Sequence, residues 1–156
     1  MEIRRAVQGD IPALHRLLRQ VLEVHHEGRP DLFKGGVTKY TDEELAALLA
    51  DDTRPVFGAF DDAGHLLGHA FCVLEDYRGD NIMTDRKTLY IDDICVDETS
   101  RGEHVGTALY GYVKDWAREA GCYNVTLNVW RCNAGAMAFY EAMGLVPYKI
   151  GMEAIL

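Results

Sequence analysis

Positive charge is what this sequence most conspicuously lacks. Sixteen Lys and Arg residues face 25 Asp and Glu, leaving a formal net charge of -9. A nucleic-acid partner is therefore not expected, because binding a phosphate backbone draws much of its affinity from cationic side chains that release counterions. An acidic surface instead favours cationic small molecules. Cysteine is scarce as well. Cys72, Cys95, Cys122 and Cys132 form no Cys-x-x-Cys pair and no Cys/His cluster at zinc spacing. Neither a disulfide framework nor a metal site is expected, and the thiols read as reduced and mostly buried. No apolar run approaches the roughly 18 residues of a membrane span, and Met1–Arg5 is not followed by the apolar stretch of a secretory leader. These absences lead us to expect a cytoplasmic protein with no membrane partner.

Nothing in the chain reads as a long linker or a repeat, so residues 1–156 are taken as a single domain. That length buries roughly two-thirds of the surface of the unfolded chain. Residues 2–6 alternate as a short strand. Asp10 is placed to cap the helix that follows, with Pro12 in its first turn. Leu14, Leu17, Leu18, Val21 and Leu22 recur at helical spacing until Gly28-Arg29-Pro30 ends the run. Thr41 and Glu44 spell a capping box before a second, short helix. Val56–Phe60 and Leu66–Leu74 flank the turn Asp61-Asp62-Ala63-Gly64 as a hairpin, and Thr88–Val96 is a third strong strand. Helix, strand, helix, strand follow: Val105–Trp116 closed by Gly121, Val125–Val129, Ala134–Met143 closed by Gly144, and Val146–Leu156. An antiparallel meander leading into βαβ crossovers predicts a mixed α/β sheet with helices on both faces.

The segment most informative about chemistry runs from Asp92 to Leu109. There a strand enters the glycine-containing loop Arg101-Gly102-Glu103-His104-Val105-Gly106-Thr107, which opens a helix. Such a turn offers several backbone N–H groups and a positive helix end to an anion. It spells neither a P-loop nor the GxGxxG of a dinucleotide fold. Further on, Asn133, Ala136, Phe139, Tyr140, Gly144 and Leu145 punctuate a helix that ends in glycine. The first segment resembles the Arg/Gln-x-x-Gly-x-Gly/Ala pyrophosphate loop of the GNAT superfamily of N-acetyltransferases, and the second resembles its Asn-x-x-Ala-x-x-Phe-Tyr-x-x-x-Gly-Phe helix. The order of elements over essentially the whole chain is similar as well.

That resemblance implies a mostly antiparallel sheet of six to seven strands with a splayed parallel pair, flanked by about four helices. It also implies acetyl-CoA as co-substrate. The backbone of Arg101, Gly102, Glu103, His104, Val105, Gly106 and Thr107 would hold its pyrophosphate. Ile94, Cys95 and Val96 would pair with the pantetheine arm, Asn133 would contact the cofactor, and Tyr140 would both line the cofactor site and protonate the leaving thiolate. His104 stands where the pattern has glycine; a side chain is tolerable there if the residue has a negative φ and points away from the phosphates.

The chemistry asks for the same groups. An alkyl ammonium with a pKa of about 10 must lose a proton before it can attack a thioester, so a carboxylate is needed, directly or through water. Asp92 and Asp93 are the candidates. Asp92 is preferred as catalytic base by resemblance to family members that act on polyamines and related amines, and Asp93 is taken as a substrate contact. His25, His26 and Arg29, at the end of the first helix, are further candidate substrate contacts, since that region borders the acceptor site in the family. Cys95 as a covalent acetyl carrier is disfavoured, having no adjacent histidine. The expected acceptor is a small cationic amine, such as a polyamine, an aminoglycoside or an amino acid. A protein N-terminus or lysine, or a non-catalytic acyl-CoA-binding role, remains the alternative. A homodimer is the expected assembly.

Overall fold

The computed structural model describes residues 1–156 and shows one five-stranded mixed sheet in the order β1-β2-β3-β4-β5. Its strands are β1 (Glu2–Arg5), β2 (Val56–Phe60), β3 (Leu66–Asp76), β4 (Lys87–Val96) and β5 (Asn124–Leu127). Its helices are α1 (Ile11–Gly28), α2 (Asp42–Leu49), α3 (Val105–Glu119) and α4 (Ala134–Ala142). Strands β1 to β4 pair antiparallel, and β5 pairs parallel with β4.

Alternation along the strands divides the interior into two cores. On one face Leu14, Leu17 and Leu18 of α1 and Leu45 and Leu48 of α2 pack on Val56, Phe60, Leu66 and Phe71. On the other, Leu109, Val113 and Ala117 of α3 pack on Phe57, Ala70, Cys72, Leu89 and Ile91. The helical periodicity of Leu14, Leu17 and Leu18 thus identified the buried face of α1. Thr41 and Glu44 form the reciprocal capping box, with Thr41 Oγ1 accepting from Glu44 N at 3.2 Å and Glu44 Oε2 from Thr41 N at 2.8 Å.

Three local expectations need correction. Asp10 does not cap α1. Its carboxylate takes a forked contact from Arg4 at 2.8 and 3.1 Å and accepts from Val7 N, and a single 3-10 turn leads into the helix. The sheet has five strands, not six to seven. Val146, Tyr148, Ile150 and Met152 do alternate with less apolar neighbours, but residues 145–156 pair with no strand, and those four side chains stay exposed. Alternation supplies a face, whereas a strand also needs a ladder partner. The segment is tied instead to the end of α1, where Arg29 donates to both oxygens of Glu153 at 2.6 and 3.1 Å. Lastly, β5 ends at Leu127 rather than Val129.

Candidate active site

Two irregularities of β4 build the site. The first is a bulge: Phe71 of β3 faces Asp93 and Cys72 faces Ile91, so Asp92 has no partner across the ladder. An extra residue re-aims the side chains that follow it. The second is a splay. Strand β5 pairs with β4 only from Thr88 to Ile91, where Thr88 Oγ1 donates to Asn124 Oδ1 at 2.8 Å. From Asp92 to Val96, the edge of β4 facing β5 carries no ladder, leaving backbone groups of Ile94, Cys95 and Val96 free for an extended ligand.

At the end of that edge the chain turns through Glu98–Ser100 into the α3 loop. Asp97, buried at the turn, accepts from Thr99 N at 3.1 Å and Thr99 Oγ1 at 2.9 Å, and is gripped by Arg16 of α1. The guanidinium and these donors overcome the cost of burial and hold the Asp97 carboxyl at about 2. Arg101, Gly102, Glu103 and His104 are exposed, ahead of the buried Val105. Gly102 has φ 86° and His104 has φ 61°. The condition of a negative φ at His104 is thus not met: the residue adopts the left-handed conformation that glycine takes without a steric cost. It precedes the first helical turn, so the N–H groups of Val105, Gly106 and Thr107 open the helix without backbone partners in it. A Cβ at Gly106 would lie 3.3 Å from the Phe139 ring and 3.4 Å from Val96. Glycine therefore lets α3, α4 and β4 converge.

Helix α4 begins at Asn133, whose Oδ1 accepts from Ala136 N at 3.1 Å, so this side chain caps the helix. Two turns on, Tyr140 lines a large cleft together with Asp92, Asp93, Ile94 and Asn133. Burial first, then the Asp93 carboxylate and Cys95, pushes the Tyr140 phenol pKa well up, so it keeps its proton at neutral pH. Burial likewise pushes Cys95 up to about 12, which argues against a thiolate nucleophile.

The two aspartates differ sharply. Asp92 is partly exposed and accepts from Lys39 Nζ at 2.9 Å. Asp93 is buried, and His69 Nε2 lies 3.6 Å from its Oδ2. Burial alone would raise its pKa. His69, then Lys39 and His25, outweigh burial and hold it below the ordinary carboxylate range. Lys39 was not singled out from the sequence: it sits in the irregular connection between α1 and α2, where no periodicity marks its direction. Burial opposes its charge, but Asp93 and Asp92 prevail and keep it an ammonium.

The helix-end candidates separate. His25 lines the cleft, its ring 5.1 Å from Phe33, which meets Trp130 edge-on at 5.2 Å to form one wall. Burial lowers the pKa of His25, against the pull of Asp93. His26 does not address the cleft. Its Nδ1 bonds the Phe33 carbonyl at 2.7 Å, fixing the loop. Arg29 reaches the cleft but is held by Asp31 and Glu153.

The model of the acetyltransferase (GNAT) family matches residues 18–145. Among curated proteins, the chain is 29% identical over 98 residues to glucosamine 6-phosphate N-acetyltransferase of Arabidopsis thaliana, covering 54% of this chain and 64% of that one. It is 33% identical over 110 residues to glucosamine 6-phosphate N-acetyltransferase 1 of Oryza sativa subsp. japonica, covering 70% and 62%. The matches thus span under two-thirds of these relatives' length. Among solved structures, a tetramutant of the BH1408 protein from Bacillus halodurans superposes with a TM-score of 0.95 at 28% identity, covering all of both chains.

Proposed function

The chain belongs to the acetyltransferase (GNAT) family, and we propose that it moves the acetyl group of acetyl-CoA directly onto a small primary amine. One observation carries this reading: the unpaired edge of β4, Tyr140 and two β4 carboxylates meet in one cleft, with the opening turn of α3 packed beside it. The residues fit the co-substrate. A helix start preceded by two residues of positive φ, Gly102 and His104, suits a pyrophosphate, and the free strand edge suits a pantetheine arm. Arg101 and Glu103 lie in that loop, with their backbone available to the phosphates.

When acetyl-CoA is bound, the amine nitrogen bonds to its thioester carbon, the C–S bond breaks, and one proton leaves the nitrogen while another reaches the sulfur. Tyr140, kept protonated by its surroundings, supplies the proton to sulfur. A β4 carboxylate receives the proton of the amine. Both carboxylates also attract an acceptor that arrives as a cation, in keeping with the net charge of -9. The curated relatives are named for an amino-sugar phosphate. Here the cation beside the carboxylates, Lys39, is already paired with Asp92, and Arg29 at the cleft wall is paired with Asp31 and Glu153. Two carboxylates at the reacting end of the cleft are what favours a cationic acceptor.

The test follows CoA release with a thiol reagent while polyamines, aminoglycosides, amino acids and glucosamine 6-phosphate are offered. Cationic amines are expected to accelerate release, and Tyr140→Phe to lower kcat at least about tenfold with little change in KM. Acetyl-CoA binding without amine-dependent release would refute the proposal.

A further inference from the structure

Resting on the acetyl-transfer reading, we propose that the proton of the acceptor is taken by Asp93 and passed to His69 behind it, so that a buried carboxylate–imidazole pair, rather than Asp92, is the base.

His69 has no exposed surface, and neither ring nitrogen has a hydrogen-bond partner; Asp93 Oδ2 is likewise buried and unpartnered. Three unsatisfied polar atoms on adjacent strands are costly unless they serve something. Nε2 lies 3.6 Å from Oδ2, a gap that a small side-chain rotation closes, and Phe71 stacks edge-on against the imidazole at 5.0 Å, limiting its escape. The little surface Asp93 retains opens on the cleft beside Tyr140. Asp92, by contrast, has an oxygen committed to Lys39.

The chemistry favours the pair. A lone carboxylate is a weak base for an amine, while an imidazole is stronger by about two to three pKa units. The nitrogen gives its proton to the Asp93 carboxylate, which hands it to the lone pair on His69 Nε2. The products are an imidazolium and a restored carboxylate, each stabilising the other. His69 never meets the substrate: it is a positioning residue that acts through Asp93. The other titratable or charged groups facing Asp93 are His25 of α1, Lys39 of the α1–α2 connection, Cys95 of β4 and Tyr140 of α4.

The experiment records kcat/KM against pH with acetyl-CoA and the best amine of the panel, for wild type, His69→Gln, His69→Phe, Asp93→Asn, Asp92→Asn and His25→Gln. Glutamine keeps a polar side chain of similar reach but not a basic nitrogen. Both His69 variants should lower the plateau at least about tenfold and move the acid limb down by at least about one pH unit. Asp93→Asn should cost about a hundredfold or more, and Asp92→Asn less than about tenfold. A wild-type pH profile in His69→Gln, a larger loss in Asp92→Asn than in Asp93→Asn, or an acid limb abolished by His25→Gln would overturn the assignment. A second readout needs no turnover: carboxyl carbon NMR of Asp93 should show its midpoint rising in His69→Phe. If no amine is acetylated, the acetyl-transfer reading fails by itself. An Asp93 midpoint unmoved by His69→Phe refutes the pairing whatever the acceptor.

Discussion

Replacing Asp97 with asparagine tests the turn that carries the proposed pyrophosphate loop. The side chain of Asp97 is 8% exposed and bonded by Arg16 and by both polar groups of Thr99. Its carboxyl sits at about 2, against an ordinary value of 3.8, and each unit of difference corresponds to about 1.4 kcal/mol. The charge therefore contributes about 2 kcal/mol at neutral pH. Asparagine keeps the acceptor for Thr99. Arg16, whose side chain is 47% exposed, retains the Leu66 carbonyl at 2.8 Å, so no cation is stranded. The loss should accordingly stay near about 2 kcal/mol rather than the roughly 3–5 kcal/mol of an orphaned buried charge. Because the folded pKa is depressed, the contribution is complete above the unfolded value near 3.8 and disappears as pH falls through about 2. Urea unfolding of wild type and variant at stepped pH should thus show a gap of about 2 kcal/mol at pH 7 that closes between about pH 4 and 2. A penalty independent of pH, or one below about 0.5 kcal/mol at neutral pH, would refute the ion-pair account. Acetyl-CoA should bind Asp97→Asn more weakly, since this residue sets where the loop begins.

Other substitutions probe the same corner. At His104, with φ 61°, His104→Gly should leave stability unchanged or raise it by up to about 1 kcal/mol, the left-handed cost of about 1–2 kcal/mol being partly offset by the entropy of glycine; His104→Val should lower it, and thermal melts establish the order. Gly106→Val would drive its branches into Phe139 and Val96, so KM for acetyl-CoA should rise several-fold, measured by CoA release at saturating amine. A Cβ at Gly68 would stand 2.9 Å from the Cys95 carbonyl oxygen; Gly68→Ala should cost about 1–3 kcal/mol in urea unfolding by prising β3 from β4.

Much of the architecture was legible because it rests on periodicity and on residues with fixed conformational habits. Leu14, Leu17 and Leu18 define the buried stripe of α1 by spacing alone, and Thr41 with Glu44 caps α2 through contacts three residues apart. The glycines closing α3 and α4 have φ 74° and 86°, which residue type anticipates. Asp10 misled because the cap it could make competes with Arg4 of β1, a partner revealed only once the strand is laid beside the helix. The C-terminal segment misled for a similar reason: alternation is local, whereas strand pairing depends on a neighbour.

Residue types and spacings were enough to place the Arg101–Thr107 loop and the Asn133–Leu145 segment, with Tyr140, in one family signature, and they offered Asp92 and Asp93 only as two neighbouring carboxylates on the strand before that loop. Which aspartate is gripped by Lys39 and which is buried against His69 was decided by tertiary structure alone. The cause is the bulge at Asp92. One extra residue in β4 breaks the two-residue alternation from which side-chain direction is inferred, and it has meaning only against the register of β3. His69 and Lys39 stand 24 and 53 residues from the aspartates they meet, Asp93 and Asp92. No local pattern marks contacts at that range; packing the strands and the α1–α2 connection together creates them.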